Sequence, residues 1–288
     1  MKIFMKIFNE KKFISVLLTL LMVIIMTAPT MCMATSQPTV KLGTISKFAI
    51  LAGSTITNTG KTIINGNVGG DVGLSPGNVF TGKSSITMSG AVHLADNAAI
   101  KAKDDLVIAY NNAAGREPVT RISSELGGST LTPGTYDSAD GTFQITGKLT
   151  LDAQGDPEGV FVFMTDSTLI TASDSSVTLI NSARFCRTFW KVGSAATLGT
   201  NSHFVGHIFA LTSITAKTGA TVQGQLLARN GAVTLNNNTI TNGICTIIPT
   251  VTGGGLPRTS TPLYEVLLVG AVLTLGGIVG WRSRKNYE

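Results

Sequence analysis

The sequence predicts a mainly β chain: a solenoid of short stacked coils with one long helix alongside. Three observations predict it: a composition rich in Thr and Gly and poor in charge, a repeat of 18 residues, and one apolar stripe at helical spacing. The chain has 288 residues, with 39 Thr and 32 Gly against 22 Lys and Arg and 16 Asp and Glu. A helical bundle would be richer in Leu, Glu and Lys, and a disordered chain would carry more charge and fewer apolar residues. Thr-rich strands joined by tight Gly turns fit this balance. Three His and thinly spread carboxylates leave little material for acid–base chemistry. No catalytic residue, enzyme activity or cofactor is assigned.

The repeat is clearest from Ser194 to Cys245. The segment Thr200-Asn201-Ser202-His203-Phe204-Val205-Gly206-His207-Ile208-Phe209-Ala210 aligns with Thr218-Gly219-Ala220-Thr221-Val222-Gln223-Gly224-Gln225-Leu226-Leu227-Ala228, every member offset by 18. Thr239-Ile240-Thr241-Asn242 continues it, and Ile64-Asn65-Gly66-Asn67-Val68 has the same apolar-x-Gly-x-apolar shape. A fixed period of this size points to coils that stack and bury a shared core. Alternation along the strand places Val222, Gly224 and Leu226 inward and Thr221, Gln223 and Gln225 outward.

The helix is expected at about 95–114. Ala95, Ala98, Ala99, Ala102, Leu106, Ala109, Tyr110 and Ala113 form one stripe, with Asp96 as a cap and Gly115 as the stop. Its small residues suit close packing on a flat sheet. Pro118 to Gly134 reads as a loop-rich region, and Phe161-Val162-Phe163-Met164 as a strand buried on both sides.

The ends read as addresses. Residues 1–34 carry +3 of the net charge of +6, residues 35–259 carry +2 and residues 260–288 carry +1. The middle has no Lys/Arg cluster, so no nucleic-acid partner is expected. Lys11 and Lys12 precede an apolar run from Phe13 to Met26, and Cys32-Met33-Ala34 fits a small-x-Ala cleavage site. Residues 1–34 are therefore read as a secretory signal peptide. At the other end, Leu256-Pro257-Arg258-Thr259-Ser260 precedes an apolar segment, 263–281, and a basic tail, 282–288. This order resembles the cell-wall sorting signal read by sortase transpeptidases, whose Leu-Pro-x-Thr-Gly motif is cut after Thr. Ser260 departs from the motif at the Gly. The alternative is a plain tail anchor, with the segment spanning the membrane and the basic end cytoplasmic. Both readings place the exported domain, 35–252, at the cell surface, followed by a linker and motif at 253–262.

Cys186 and Cys245 remain in an oxidising compartment, which favours a bridge. Simple stacking opposes it, because about three coils separate them by roughly 14 Å at ~4.8 Å per coil. Reordered coils would break that arithmetic. No Cys or His spacing suggests a metal site, and His93, His203 and His207 are read as surface residues.

Several longer motifs stand along the chain. They run in order from Leu42-Gly43-Thr44, Phe48-Ala49-Ile50-Leu51-Ala52-Gly53 and Asn65-Gly66-Asn67-Val68-Gly69 through Leu126-Gly127-Gly128 and Leu131-Thr132-Pro133-Gly134-Thr135-Tyr136. Leu149-Thr150-Leu151-Asp152-Ala153-Gln154-Gly155-Asp156-Pro157, Phe189-Trp190-Lys191-Val192-Gly193 and Leu227-Ala228-Arg229-Asn230-Gly231-Ala232-Val233-Thr234-Leu235 follow. In this order the motifs resemble the microbial ice-binding protein family, and the resemblance implies a right-handed discontinuous β-solenoid of triangular section, with a long helix packed along it. It also implies a flat face that binds ice or ordered water, without cofactor or catalysis.

Thr suits such a face: its β-branch fixes χ1, and stacked coils repeat it about every 4.8 Å. Some family members carry a Thr-[Ala/Gly]-x-[Thr/Asn] motif. Thr59-Gly60-Lys61-Thr62 and Thr218-Gly219-Ala220-Thr221 match it, while Thr200-Asn201-Ser202-His203 departs at two positions. The candidate ice-contacting residues are Thr59, Thr62, Thr200, Thr218, Thr221 and Thr239. The alternative is a surface adhesin binding glycan or another cell, marked by aromatic platforms beside Asp or Asn. A polysaccharide lyase or hydrolase would need clustered carboxylates. Asp152, Asp156, Glu158 and Asp166 are near in sequence, but Asp152 and Asp156 look like turn chemistry.

Overall fold

The computed structural model describes residues 37–66, 68–243 and 245. The signal peptide, sorting motif and apolar tail read from the sequence lie outside them. Every strand pairing between named strands is parallel. The strands form three ladders.

The first ladder runs Ile86–Met88, Thr62–Asn65, Thr239–Thr241, the front half of Thr221–Ala228, the front of His203–Ala210, Ser176–Ile180, Lys148–Asp152 and Thr130–Leu131. The second runs Val92–Leu94, Asp71–Leu74, Phe48–Ala52, the back halves of Thr221–Ala228 and His203–Ala210, then Thr188–Val192, Phe161–Thr165, Gly134–Ser138 and Val119–Ile122. The third is a separate sheet of seven: Phe143–Ile145, Leu169–Thr171, Ala196–Leu198, Ile214–Ala216, Val233–Asn236, Thr55–Thr59 and Val79–Thr81.

The coil order is discontinuous. The first coil in sequence, 48–65, stacks directly on the last, 225–241, through Ile50–Leu226, Thr57–Thr234 and Ile64–Ile240. The 18-residue repeat is the coil itself, since His203, Thr221 and Thr239 stand in register.

The first two ladders meet at a bend, and glycine makes the bend possible. Gly206 and Gly224 have φ of +114° and +147°. A Cβ on Gly224 would sit 2.0 Å from the Gly206 carbonyl oxygen. Side chains therefore cannot occupy these stacked corners.

Helix α1, Asn97–Ala114, lies along the second ladder. Asp96 caps it by accepting from the Ala99 amide at 2.8 Å, and Gly115 ends it with its amide on Asn111 O. Ala99, Ala102, Leu106, Ala109, Tyr110 and Ala113 are buried, as the stripe predicts. Ala95 and Ala98 are not: Ala95 precedes the helix and Ala98 faces solvent. At 1.5 Å per residue the helix is about 27 Å long, enough to cross about six coils. It touches strands from Val92–Leu94 to Phe161–Thr165.

Two apolar layers result. Inside the coils Phe163 stacks on Trp190 at 4.0 Å, with Phe143, Phe204 and Ile208 around them. Between helix and ladder, Val162, Phe189, Phe209 and Leu227 meet Ala102, Leu106 and Ala109. Phe161–Thr165 is thus covered on both faces, as expected. The region 118–134 is less loop-like than its sequence suggests, since Val119–Ile122 and Thr130–Leu131 end two ladders.

Two outward expectations fail for one reason. His207 is 1% exposed and Gln225 is 0% exposed. Both follow the Gly bend, so they point out from the second ladder, where the segment around Ile45–Phe48 and the turn Phe185–Arg187 cover them. Gln225 Nε2 donates to the carbonyls of Ile45 and Phe48 at 2.6 Å each. His207 lies between the Phe185 and Phe189 rings. His93 is half-buried, and His203 remains exposed.

Cys186 and Cys245 are bridged, with Cα atoms 6.0 Å apart. The coil-count separation fails because neither residue stays in its coil. The turn Phe185–Arg187 reaches across His203–Ala210 to Thr221–Ala228. Cys245 lies past the end of the last strand, Thr239–Thr241.

Candidate functional site

The solenoid has three outward faces, and they differ in what they offer. The second is occupied by α1 and the 37–47 segment. Along the first, one outward column reads Lys148, Ser176, His203, Thr221, Thr239, Ile63 and Thr87 in register. Lys148, His203 and Ile63 break it chemically and in height. His203 Nδ1 also pairs with the Thr221 hydroxyl at 2.8 Å.

The third face is more regular. Thr197, Thr215, Thr234, Thr57 and Thr81 form one column, each in register with the next. At ~4.8 Å per coil the column is about 19 Å long. Two residues before each Thr stand Ala195, Ser213, Ala232, Thr55 and Val79, on the same face. Two residues after stand Gly199, Lys217, Asn236, Thr59 and Lys83. The centre of the face thus carries small side chains, with cations only at its margin.

Inward neighbours hold the column rigid. Ala196, Ile214, Val233 and Ile56 are all at most 1% exposed. Among the described residues, no hydrogen bond ties the five column hydroxyls to protein groups, so they are free for water. Ile170 and Gln144 continue the column past Thr197 and end its hydroxyl chemistry.

The six Thr read from the sequence do not form one surface. Thr221 and Thr239 lie on the first face, and Thr59 lies at the margin of the third, opposite Asn236. Thr200 and Thr218 sit at the corner between those faces. Thr62 is fully buried, its hydroxyl accepting from the Asn238 amide at 3.2 Å. It cannot meet any external lattice. The Thr-Gly-Lys-Thr motif is therefore corner chemistry, with the Gly60 φ at +72° and the Gly219 φ at +73°.

The neighbouring carboxylates also have structural work. Asp152 Oδ1 accepts from Gln154 N and Asn181 Nδ2, and Asp156 Oδ1 accepts from Glu158 N. Glu158 pairs with Arg187, and Asp166 with Lys191. Among the described residues, no group of three or more His, Cys, Asp or Glu is placed to hold a metal.

Residues 50–241 match the model of the ice-binding-like family. The chain belongs to that family. It is 44% identical to an ice-binding protein of a Nostoc species over 207 residues, covering 71% of this chain and 75% of that protein. An ice-binding protein of Flavobacterium frigoris is 36% identical over 220 residues, with 70% and 76% covered. Among solved structures, an ice-binding protein from an Antarctic biological consortium superposes with a TM-score of 0.69 at 42% identity, covering 74% of this chain and 96% of that one. One from the Antarctic ascomycete Antarctomyces psychrotrophicus gives 0.67 at 38% identity, with 71% and 98% covered. The match to the ice-binding-like family spans all seven strands of the third sheet and all five Thr of the column. That Thr57 and Thr81 join Thr197, Thr215 and Thr234 follows from the discontinuous coil order.

Proposed function

We propose that this chain is an ice-binding protein acting through the third face, on the Thr197–Thr215–Thr234–Thr57–Thr81 column. The observation that carries the reading is the unbroken register of these five residues. A lattice ligand cannot adjust to its receptor, so the receptor must repeat and stay flat. β-branched Thr on buried strands supplies fixed methyls and hydroxyls at a constant spacing. The names of the relatives support the ligand. The section is taken as triangular and the winding as right-handed, as in the resemblance read from the sequence. The domain is exported and held at the cell surface by its C-terminal segment. The adhesin alternative asks for exposed aromatic platforms, whereas Trp190, Tyr110 and Tyr136 are buried.

The test replaces Thr215, the second of the five, with Tyr. Thr215→Tyr adds a bulky protrusion at a position with no core to disturb, so stability changes by about 0.5 kcal/mol or less. Thermal hysteresis and incorporation into a growing ice crystal should both collapse. Thr221→Tyr on the first face should leave them near wild type. The opposite pattern moves the site to the first face, and a wild type without ice shaping refutes the ice reading.

A further inference from the structure

The chain leaves the described solenoid at a topologically weak place. Its last strand, Thr239–Thr241, has three residues and sits inside the stack between Thr221–Ala228 and Thr62–Asn65. It joins the C-terminal coils to the N-terminal ones. Tension on the chain beyond it would peel this strand and the preceding Val233–Asn236 out of the middle of the stack. Asn242 would add its backbone amide on the Asn65 carbonyl at 3.0 Å and its side-chain amide on the carbonyls of Phe48 and Gly69 at 3.2 and 2.9 Å.

The disulfide changes the path. Cys186 belongs to the turn Phe185–Arg187, which is braced on its unloaded side by Thr188–Val192. That strand has five residues and is paired on both sides, with Phe161–Thr165 and His203–Ala210. Trp190 anchors it from within, stacked on Phe163 and donating to the Val205 carbonyl at 3.0 Å. The bridge lies beside the bend where the first two ladders meet. The Thr column is on the other sheet, across the coil from that bend.

We infer that the Cys186–Cys245 bridge is a tension clamp, which lets the domain grip ice with its third face while pulled by its C-terminal end. The ice part rests on the function proposed above, whereas the clamp rests on connectivity alone. Pull entering at Cys245 passes through sulfur to Cys186 and then along the chain toward its N-terminal side, into Ser176–Ile180, which pairs with Lys148–Asp152 over five residues. Residues 187–244 then carry no load, and the three-residue strand is bypassed.

The experiment stretches residues 37–245 between terminal handles in an optical trap. This unit suffices because the consortium structure, solved as its own chain, is 96% covered by the match. Wild type should show no early release and should hide residues 187–244, roughly 200 Å of chain at ~3.4 Å per residue. Cys186→Ser/Cys245→Ser should rupture first at lower force, releasing residues 233–245, roughly 40 Å. Wild type reduced in the trap should gain the same early step, which keeps the test valid if the double variant folds poorly. A first rupture at the wild-type force in both oxidised and reduced protein overturns the clamp. In a parallel arm, beads carrying either protein by its C-terminal end are pressed to ice under flow. Beads bearing the variant should detach at lower flow while thermal hysteresis in free solution is unchanged. No adhesion by either bead would sink the ice reading and leave the trap result to decide the clamp.

Discussion

Lowering the pH from 7 to 5 should destabilise this protein through one side chain, His207. Its ring is fully buried between Phe185 and Phe189, and neither nitrogen has a hydrogen-bond partner among the described residues. Burial pushes its pKa down to about 3 from an ordinary 6.5, and the adjacent Gln225 side chain offsets only part of that. The folded state thus stays unprotonated at pH 5, whereas the unfolded chain takes up a proton below about pH 6.5. The unfolded state binds more protons, so stability is full above about 6.5 and falls as pH drops toward 3. At 1.36 kcal/mol per unit, the loss between pH 6.5 and 5 is about 2 kcal/mol. The depressed carboxylates Asp96, Asp105 and Glu125 contribute stability that is lost only at lower pH, since their ordinary values are near 4. The window from 6.5 to 5 therefore isolates histidine. Urea unfolding at pH 7, 6 and 5 measures the loss, and His207→Phe should flatten it by filling the same aromatic slot without a titrating group. An equal slope in wild type and variant would refute the assignment.

Two further substitutions test the architecture. Gly224→Ala should cost about 3 kcal/mol or more in urea unfolding, combining a φ open essentially to Gly with a Cβ 2.0 Å from Gly206 O. Gly147→Ala, at φ +83° with nothing within 4 Å of the added carbon, should cost only about 1 kcal/mol, and equal losses would show that the corner is not sterically closed. Thr62→Val should cost about 1 kcal/mol for the lost Asn238 contact and leave thermal hysteresis unchanged; a hysteresis loss without unfolding would return Thr62 to the ice site.

Most of the fold was legible because it rests on local periodicities. The 18-residue offset is one coil, so His203, Thr221 and Thr239 stack as the alignment says. The stripe from Ala99 to Ala113 is a helix face because its small side chains lie against the second ladder. What sequence could not supply was coverage. Alternation assigns Gln225 to the outside of a strand, which is geometrically correct, and His207 stands in register with it one coil earlier. The outside of that strand is nevertheless interior, because a segment some 180 residues earlier in the chain lies over it. The bridge escaped coil arithmetic for a related reason, since both cysteines sit on excursions from the stack.

The proposed face was partly illegible for a different reason, the order of coils. Thr197 and Thr215 are 18 apart and Thr234 is 19 further, so three members of the column were open to the repeat alignment. The Thr-Gly-x-Thr motif points elsewhere, since its Gly marks a corner and its second Thr turns inward at Thr62. Thr57 and Thr81 belong to coils at the opposite end of the sequence and enter the column only because 48–65 docks on 225–241. That docking lengthens the row from three Thr to five, or from about 10 Å to about 19 Å at the strand spacing. Because a rigid lattice rewards every added repeat held in the same plane, the discontinuity that hides the face in the sequence also extends it in the structure. Contacts that fix the first coil on the last, such as Asn242 on Phe48 and Gly69, therefore govern the length of the face without touching it.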